Sequence, residues 1–500
     1  MSVSDIYDLL IIGGGIHGAG VARDAAGRGL RVALCEQGDL AGATSSASSK
    51  LIHGGLRYLE YGDVRLVRDA LHERETLLRI APHISRPLHF VLPHVPELRP
   101  AWMIRLGLLL YDHLSTRTTL PGSRSIDLRV SAYGTPLVSE LRKGFVYSDG
   151  WIDDARLTIL NLKSALRRGA HILPRTRLTS AVPEQQSWRA ILSTHDGRSV
   201  ELHARALVNA AGPWVDQIRT ALLPGAAPRT RLVRGSHIVV PAVYAGDHAY
   251  LLQSRDRRVV FLLPFGAAHT LVGTTDVATL SPLAPVHPDT SEVQYLCAAT
   301  KRFLRQPITP EGVVHSFSGV RALLDDGHAN PSAVTRDYAL LLEHADDAPL
   351  LSMVGGKLTT YRALAEKTLD QLRRYFPTMS TKGWTGNEPL PGGDLSGGGM
   401  VALRSRLEAD YPQLPVALLA ALAGRHGTLA FQVLGDADRE SQLGMHFGGS
   451  LYAREVDYLI DHEWARSAHD VLWRRTKTGL SVDPESGSAL DEYVRTRVAR

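Results

Sequence analysis

The sequence predicts an α/β protein with a β-rich second domain and a helical C-terminal domain. Three observations support this fold class. Residues 6–36 alternate strand, glycine turn, helix and strand; short β-branched runs occupy 231–325; and helical periodicity dominates beyond residue 400. A chain of 500 residues also gives a prior of about three domains.

The first element pairs an apolar strand with a glycine-rich turn. Asp8–Ile12 runs directly into the pattern GxGxxG at Gly13, Gly15 and Gly18. Glycine allows the tight turn, the close approach of a pyrophosphate and close helix packing, and the helix N-terminus attracts phosphate. The next strand ends at Glu36, where a carboxylate can accept hydrogen bonds from ribose hydroxyls. The pattern predicts a Rossmann-type dinucleotide site and leaves FAD and NAD both open.

Two later glycine turns favour a flavin. Residues 206–214 read as a strand that ends in a small-residue turn, and 355–360 form a glycine turn before a helix at 361–374. A helix N-terminus directed at the flavin ring would stabilise its anionic reduced form. Glycine turns before helices are common, so neither segment is specific alone.

The remaining periodicity suggests where the domains lie. Residues 64–80 and 153–168 have helical apolar spacing, and strands are expected near 171–173 and 206–208. The segment 385–399 has six glycines and two prolines, which is typical of a linker. We therefore expect a discontinuous nucleotide-binding domain (1–80, 145–230 and 326–380), a substrate domain (81–144 and 231–325), the linker 385–399, and a helical C-terminal domain (400–500).

Composition limits the other function classes. The chain is 44% hydrophobic and 21% charged, as in an ordinary folded protein, with a net charge of +5. The basic residues form no block of five, so a solvated surface is preferred over a polyanion site. Cys35 and Cys297 form no CxxC pair or metal-ligand spacing, so we expect no metal site and a reducing, cytoplasmic environment.

No membrane-spanning segment or secretory signal is expected from the sequence. No apolar run approaches the ~18–20 residues needed to cross a bilayer, and no basic n-region with a cleavage site precedes the first strand. The nearest candidate, 102–111, is too short to span. It fits a buried helix or a helix that enters one membrane face equally well.

Eight motifs, found in the same order, resemble those of the bacterial FAD-dependent glycerol-3-phosphate dehydrogenases. The likeness extends from about residue 6 to residue 480 and omits loops such as 181–200 and 280–290. The motifs are Thr44–Leu59, Arg234–Pro241, Gly273–Asp276, Ser318–Arg321, Thr335–Tyr338, Gly355–Tyr361, Asp461–Trp464 and Leu472–Lys477.

The resemblance implies a glutathione-reductase-like FAD domain below a β-rich substrate domain. It implies oxidation of sn-glycerol 3-phosphate to dihydroxyacetone phosphate, a quinone as acceptor, peripheral attachment to the inner face of the cell membrane, and a homodimer. The expected FAD-binding residues are Gly13, Gly15, Ile16, Gly18, Glu36, Gln37, Thr44, Ser45, Ser49, Leu51, Val182, Ala210, Gly212, Gly356, Lys357, Leu358 and Thr359.

The substrate's phosphate calls for permanently charged, fork-shaped donors, which makes arginine the expected ligand. In the motif positions, Arg321 and Arg336 are the candidates for the phosphate, and Arg57 is a third cation near the flavin. Tyr58 and Lys357 complete the expected substrate-binding set. A surface role would be the ordinary interpretation of each arginine without the motifs.

Loss of the substrate's hydroxyl proton requires a base or a cation that stabilises the alkoxide. His237 is the first candidate for the base and His53 the second, because histidine exchanges protons near neutral pH. Arg321 is expected to stabilise developing charge. A hydrogen-bonded structural role stays open for both histidines.

Three other functions compete with this interpretation. A related FAD-dependent amine or amino-acid oxidase would bind a carboxylate, and a glycerophosphate oxidase would use oxygen as acceptor. A basic nucleic-acid-binding protein is the third, but no aromatic-basic alternation or zinc module supports it. The chain also lacks HExxH and GxSxG motifs.

Overall fold

The computed structural model describes residues 6–115, 120–254, 258–281, 287–325, 337–395 and 397–499. Its strands are β1 (Tyr7–Ile12), β2 (Val32–Cys35), β3 (Leu51–Ile52), β4 (Ser85–Pro93), β5 (Arg124–Asp127), β6 (Lys143–Ile152), β7 (His171–Leu173), β8 (Thr176–Glu184), β9 (Ser187–Thr194), β10 (Ser199–Asn209), β11 (Thr230–Pro241), β12 (Ala249–Gln253), β13 (Val259–Phe265), β14 (His269–Gly273), β15 (Val277–Ala278), β16 (His315–Leu324), β17 (Tyr338–Ala345) and β18 (Ala348–Gly355). Its helices are α1 (Ile16–Gly27), α2 (Val64–Ile80), α3 (Ala101–His113), α4 (Asp154–Arg167), α5 (Val215–Leu222), α6 (Thr290–Lys301), α7 (Tyr361–Leu372), α8 (Gly399–Asp410), α9 (Val416–His426), α10 (Ala430–Leu434), α11 (Ala453–Glu463) and α12 (Pro484–Ala499).

The first sheet is the nucleotide-binding sheet that the glycine turn predicts. Its order is β17-β18-β10-β1-β2-β7, and β8 and β9 form a hairpin against β10. The four pairings from β18 to β7 are parallel. Helices α1, α4 and α7 share one buried core with this sheet, which explains why β1 is almost entirely apolar. The β8–β9 hairpin includes most of 181–200, where no motif indicated structure.

The second sheet has ten strands in the order β15-β11-β14-β13-β12-β4-β6-β3, with β16 on β11 and β5 on β6. It differs from the expected domain boundaries at two places, because β3 and β6 belong to this sheet and not to the nucleotide-binding domain. The physical reason is pairing: β6 is antiparallel to β4 from Ser85↔Ile152 to Pro93↔Gly144. The chain therefore stays in the second sheet as far as Ile152, beyond the expected boundary at residue 144.

The C-terminal domain is helical, as expected, and α8 to α12 enclose their own apolar core. The linker before it packs against the first domain. The Arg23 guanidinium donates to the carbonyls of Thr385 and Glu388, and the Leu390 amide donates to the Ile80 carbonyl at 2.8 Å. The described part of the linker is thus an ordered connection.

One segment departs from the expectation about apolar runs. Val416–Leu434, which spans α9, a short 3-10 turn and α10, is long and apolar enough to cross a membrane by length and composition. Its Leu418, Leu419 and Leu422 side chains are buried in the core of the C-terminal domain. The segment is therefore weak evidence for a membrane span.

Candidate active site

The main cavity of the described residues has a volume of about 1010 Å³ and is lined by both sheets. We call two parts of its wall the nucleotide end and the substrate end. The nucleotide end contains Gly13, Gly15, Glu36, Gln37 and Arg177. The substrate end contains His53, Arg57, Tyr58, Arg321 and Lys357.

The glycine turn of the nucleotide end has no room for side chains. Gly13 has φ +112°, and a Cβ there would lie 2.6 Å from the Ala210 carbonyl oxygen. A Cβ on Gly18 would lie 2.0 Å from the Gly13 carbonyl oxygen, so Gly18 acts by close packing behind the cavity wall. Gly15 and Ile16 line the cavity at the start of α1, where helix N–H groups can meet phosphate.

Glu36 is held by backbone amides beside this turn. Its carboxylate accepts hydrogen bonds from the Gly14 and Gly38 amides, both at 2.7 Å, and burial raises the pKa of this carboxyl group. A carboxylate oxygen has more than one lone pair, so the fixed group can still accept ribose hydroxyls. Gln37 follows Glu36 along the cavity wall.

Val182 is the cofactor candidate that the structure places elsewhere. It lies on β8, is 40% exposed, and is not part of the cavity wall. Thr176, Arg177 and Leu178 of the same strand line the cavity in its place. The sequence missed them because β8 begins in a region without recognisable motifs.

The segment 44–59 forms one side of the cavity, and Thr44, Ser45, Ser49 and Leu51 all line it. Its turn is fixed by side chains that act on backbone groups. The Thr44 hydroxyl donates to the Val320 carbonyl at 2.5 Å, and the Ile16 amide donates to Ser45 Oγ at 2.9 Å. The segment therefore connects α1 with β16.

The turns after β10 and β18 complete the expected cofactor set. Ala210 and Gly212 line the cavity, as do Gly356, Leu358 and Thr359. Lys357 lies between them, with Nζ 3.8 Å from the centroid of the Tyr58 ring. This cation–π contact places the charge of Lys357 at the substrate end.

His17 is a cavity residue that the sequence reasoning missed. Its Nε2 atom is buried without a hydrogen-bond partner among the described residues, and burial lowers its pKa to about 4. A Cβ on Gly356 would lie 3.0 Å from this Nε2 atom. In the sequence, His17 stands at a variable position of the GxGxxG pattern, which gives no signal for a role.

His53 lines the cavity at the substrate end. Burial, followed by the positive charges of Lys357 and Arg74, lowers its pKa to about 3, so the imidazole is neutral at pH 7. The next amide, that of Gly54, donates to Tyr111 Oη at 2.8 Å. Tyr111 in turn donates to Asp149, which also pairs with Arg74 at 2.7 Å. This buried network fixes the backbone beside His53.

His237 was the preferred base, but the structure places it behind the cavity wall. It is buried, stacks on Phe317 with ring centroids 5.0 Å apart, and its Nε2 atom lies 2.8 Å from Ser49 Oγ. Burial and the charges of Lys50 and Arg321 hold its pKa well below the usual range. Ser49 separates His237 from the cavity, so the geometry favours His53.

Arg321 reaches the cavity from β16 and is oriented by the β14–β15 turn. Its guanidinium pairs with Asp276 at 2.7 Å and donates to Thr274 Oγ1 at 3.1 Å. Arg57 and Tyr58 line the same cavity from a 3-10 helix at Leu56–Tyr61. Arg336, the other phosphate candidate, lies outside the described residues.

The arrangement fits a dinucleotide cofactor together with a small anionic substrate. The glycine cradle, the fixed Glu36 carboxylate and the unpartnered His17 nitrogen face one cavity that also contains cations and a neutral imidazole. This fold and site define a flavoprotein oxidoreductase.

Comparison with known proteins supports this class. A family model described as FAD dependent oxidoreductase matches residues 8–362, and one described as the C-terminal domain of alpha-glycerophosphate oxidase matches residues 384–497. A solved glycerol-3-phosphate dehydrogenase from Bacillus halodurans, complexed with FAD, has a TM-score of 0.76 at 24% identity, covering 99% of this chain and 95% of that chain.

Curated relatives are closer in sequence. A glycerol-3-phosphate dehydrogenase from Pseudomonas aeruginosa is 50% identical, over 99% of this chain and 96% of its own. The aerobic glycerol-3-phosphate dehydrogenase of Escherichia coli is 46% identical over 97% of each chain, and a D-erythritol 1-phosphate dehydrogenase from Brucella abortus is 48% identical over 99% and 98%. The chain belongs to the family of bacterial FAD-dependent glycerol-3-phosphate dehydrogenases, and its cofactor is FAD.

Proposed function

We propose that this protein oxidises sn-glycerol 3-phosphate to dihydroxyacetone phosphate and passes the electrons to a membrane quinone. The observation that carries the proposal is the combination of Arg57, Arg321 and Lys357 with a neutral His53 in one cavity. The names of the relatives support the same substrate class. Bound FAD supplies the two-electron acceptor for the hydride of the substrate alcohol.

The three cations account for binding of a phosphate dianion. Asp276 fixes the plane of the Arg321 guanidinium, which limits the side-chain entropy lost when phosphate binds. Stacking on Tyr58 does the same for the Lys357 ammonium group. Charge-assisted hydrogen bonds from such pre-oriented donors are stronger than those of mobile surface cations.

His53 is our candidate for the base that takes the hydroxyl proton. A neutral imidazole can accept a proton, and the Gly54–Tyr111–Asp149 hydrogen bonds hold its backbone in place. The nearby positive charge of Lys357 stabilises the alkoxide that forms when the proton leaves. In this scheme, His237 positions Ser49 and does not contact the substrate.

We also propose that the protein attaches to the inner face of the cell membrane through α3. This helix exposes an apolar face that includes Trp102, which is 67% exposed, and Leu106, which is 58% exposed. Met103, Leu109 and Leu110 are exposed on the same helix. A monomeric surface seldom carries so much contiguous apolar area, and an interfacial helix buries such a face in the headgroup region.

The position of α3 next to the cavity wall supports a lipophilic acceptor. Arg99, just before α3, pairs with Glu60 of the 3-10 helix that carries Arg57 and Tyr58. Ile104 and Leu108 of α3 pack in the same core as Leu56 and Tyr58. A membrane that receives α3 would therefore lie close to the substrate end, where a quinone dissolved in lipid could reach the cofactor.

An anaerobic visible spectrum tests the reaction. The purified holoprotein should lose its oxidised-flavin absorbance with sn-glycerol 3-phosphate, and not with glycerol or amino acids. D-Erythritol 1-phosphate belongs in the same experiment because one relative carries that name. Bleaching only by D-erythritol 1-phosphate or by an amino acid would overturn the proposed substrate.

Vesicle sedimentation and acceptor assays test the remaining parts. The holoprotein should sediment with anionic lipid vesicles, and the Leu106→Asp variant should stay in the supernatant. In acceptor assays, the enzyme should reduce a short-chain quinone faster than it consumes oxygen. Peroxide formation at the rate of substrate oxidation would instead indicate the oxidase alternative. The family resemblance also implies a homodimer, which sedimentation velocity in detergent would detect as twice the chain mass of 54.5 kDa.

A further inference from the structure

The C-terminal domain contacts the loop of the nucleotide end that follows Glu36. We define the clamp as Asp39 together with Arg175, Arg474 and Arg475. The Arg475 guanidinium donates to both Asp39 carboxylate oxygens, at 2.6 and 2.9 Å, and Arg474 Nε donates to one of them at 2.5 Å. Arg175, on the turn before β8, adds a longer contact at 3.5 Å.

Asp39 and Arg475 are buried, and Asp470 supplies a second negative charge beside Arg175 and Arg474. Asp39 is 8% exposed and Arg475 is fully buried. The charges of Arg475 and Arg474 lower the pKa of Asp39 to about 2, against the effect of burial. Arg475 also donates to the Glu463 carbonyl of α11 at 2.8 Å, so the guanidinium is anchored inside its own domain. Removing one partner from such a buried pair leaves an uncompensated charge.

The loop that the clamp holds is the one that positions the ribose carboxylate. The Gly38 amide donates to Glu36, the Arg175 amide donates to the Gly38 carbonyl at 2.9 Å, and the Ala41 amide donates to the Gly14 carbonyl at 3.0 Å. Residues 36–42 therefore connect Asp39 to Glu36 on one side and to the glycine turn on the other. Arg474 itself lines the cavity.

We propose that the C-terminal domain is part of the FAD-binding site, because Arg474 and Arg475 hold Asp39 and thereby fix the 36–42 loop that presents Glu36 to the adenosine ribose. In this role Asp39 and Arg475 are positioning residues for FAD. The proposal rests on FAD as cofactor and is independent of the substrate and acceptor proposed above.

Asp39→Asn is the sharpest test, because the amide keeps the size of the side chain and loses its charge. Titration of the apoprotein with FAD, followed by flavin fluorescence, should give a dissociation constant raised at least about tenfold, since tenfold corresponds to about 1.4 kcal/mol and breaking a buried pair costs more. Arg475→Lys keeps the positive charge but loses the two parallel hydrogen bonds of the guanidinium, so it should also raise the dissociation constant for FAD.

Lys163→Gln is the matched control. Lys163 is a buried cation on α4 that also bridges to the C-terminal domain, through Tyr458 Oη at 2.7 Å and Glu463 at 3.2 Å, and it does not line the cavity. Its FAD dissociation constant should stay within about twofold of wild type. The thermal shift that FAD adds to the apoprotein should shrink in Asp39→Asn and persist in Lys163→Gln.

Three results would overturn the proposal. The first is wild-type FAD affinity in Asp39→Asn. The second is an equal loss in Lys163→Gln, which would assign the effect to general loosening between domains. The third applies if Asp39→Asn does not fold: Arg475→Lys with wild-type FAD affinity would then be decisive against it.

Discussion

The two ends of the cavity are built on different principles. At the nucleotide end the backbone does most of the binding: glycines at Gly13 and Gly18 allow close approach, and Glu36 is fixed by two amides. At the substrate end side chains do the work, and they come from a 3-10 helix, β16 and the turn after β18. The motif of the nucleotide end is therefore local in sequence, whereas the side chains of the substrate end come from separate elements.

The difference separates affinity for the cofactor from selectivity for the substrate. The backbone cradle tolerates little substitution at Gly13 and Gly18, because a Cβ at either position collides with a carbonyl oxygen. A side-chain cluster can change one charge at a time while the cavity keeps its shape. Substitutions at the nucleotide end should thus abolish flavin content, and those at the substrate end should change kinetics in a flavin-loaded enzyme.

The largest expected effect is at the glycine turn. Gly18→Ala places a Cβ 2.0 Å from the Gly13 carbonyl oxygen, so the protein should purify without FAD. The ratio of flavin absorbance to protein absorbance in the purified sample measures this. Gly424→Ala in α9 is the control, because a Cβ there has no neighbouring atom within 4 Å. This variant should keep its FAD and be more stable than the wild type by about 0.5–1 kcal/mol. Normal flavin content in Gly18→Ala would contradict the claim that backbone packing at the glycine turn controls FAD binding.

The second effect belongs to the substrate end. His53→Gln should lower kcat/KM by about 10²–10⁴ because a general base is lost, with flavin content unchanged. Since the pKa of His53 is about 3, the wild type should show no acid limb from this residue between pH 8 and pH 5. Stopped-flow flavin reduction across this pH range measures both. A larger loss of reduction rate in His237→Gln than in His53→Gln would restore His237 as the base.

A smaller effect is expected at the phosphate. Arg321→Lys keeps the charge and loses the fork, so KM for sn-glycerol 3-phosphate should rise about tenfold to a hundredfold, on the scale of 1.5–3 kcal/mol for charged hydrogen bonds. Steady-state kinetics measures it, with Arg129→Lys at an exposed ion pair as control. If KM is unchanged, Arg321 is not the phosphate ligand.

The last effect is on stability rather than activity, and it concerns a residue that belongs to neither end. His83 is buried between the first domain and the C-terminal domain with both ring nitrogens unpartnered among the described residues, and burial lowers its pKa to about 3. Below pH 6.5, His83 is protonated in the unfolded chain but stays neutral in the folded chain. The free energy of unfolding therefore falls as the pH falls toward 3. The free energy of unfolding, measured with urea, should therefore depend less on pH in His83→Gln. Between pH 6 and pH 4 its slope against pH should be smaller than that of the wild type by about 1.4 kcal/mol per pH unit. An unchanged slope would contradict it.

The sequence predicted those parts of the site that a local motif determines. GxGxxG and Glu36 could be identified because both lie within one βαβ unit, where the turn requires glycine and the ribose requires a carboxylate. The structure favours His53 over His237 as the candidate base, because His237 is buried behind Ser49 by the packing of β11 against β14 and β16. Val182 lies four residues beyond Leu178, the last residue of β8 on the cavity wall. The sequence missed this because no motif indicated where β8 begins.

The C-terminal arginines show the same limit. The sequence identified Leu472–Lys477 only as a motif, and the structure pairs its Arg475 with Asp39 and its Lys477 with Asp153. Their partners lie hundreds of residues away, and no periodicity indicates such pairings. The domain-level prediction was better, since helical spacing after the linker is a local property.

Because neither native cysteine is accessible, a cysteine introduced on the surface can be labelled selectively. Both Cys35 and Cys297 are buried as free thiols, and burial raises the pKa of each. A thiol reagent reacts with the thiolate, so a folded sample should stay unlabelled at neutral pH. A cysteine introduced at Leu106 could then carry a single spectroscopic probe, and the polarity around α3 could be followed without altering either native thiol.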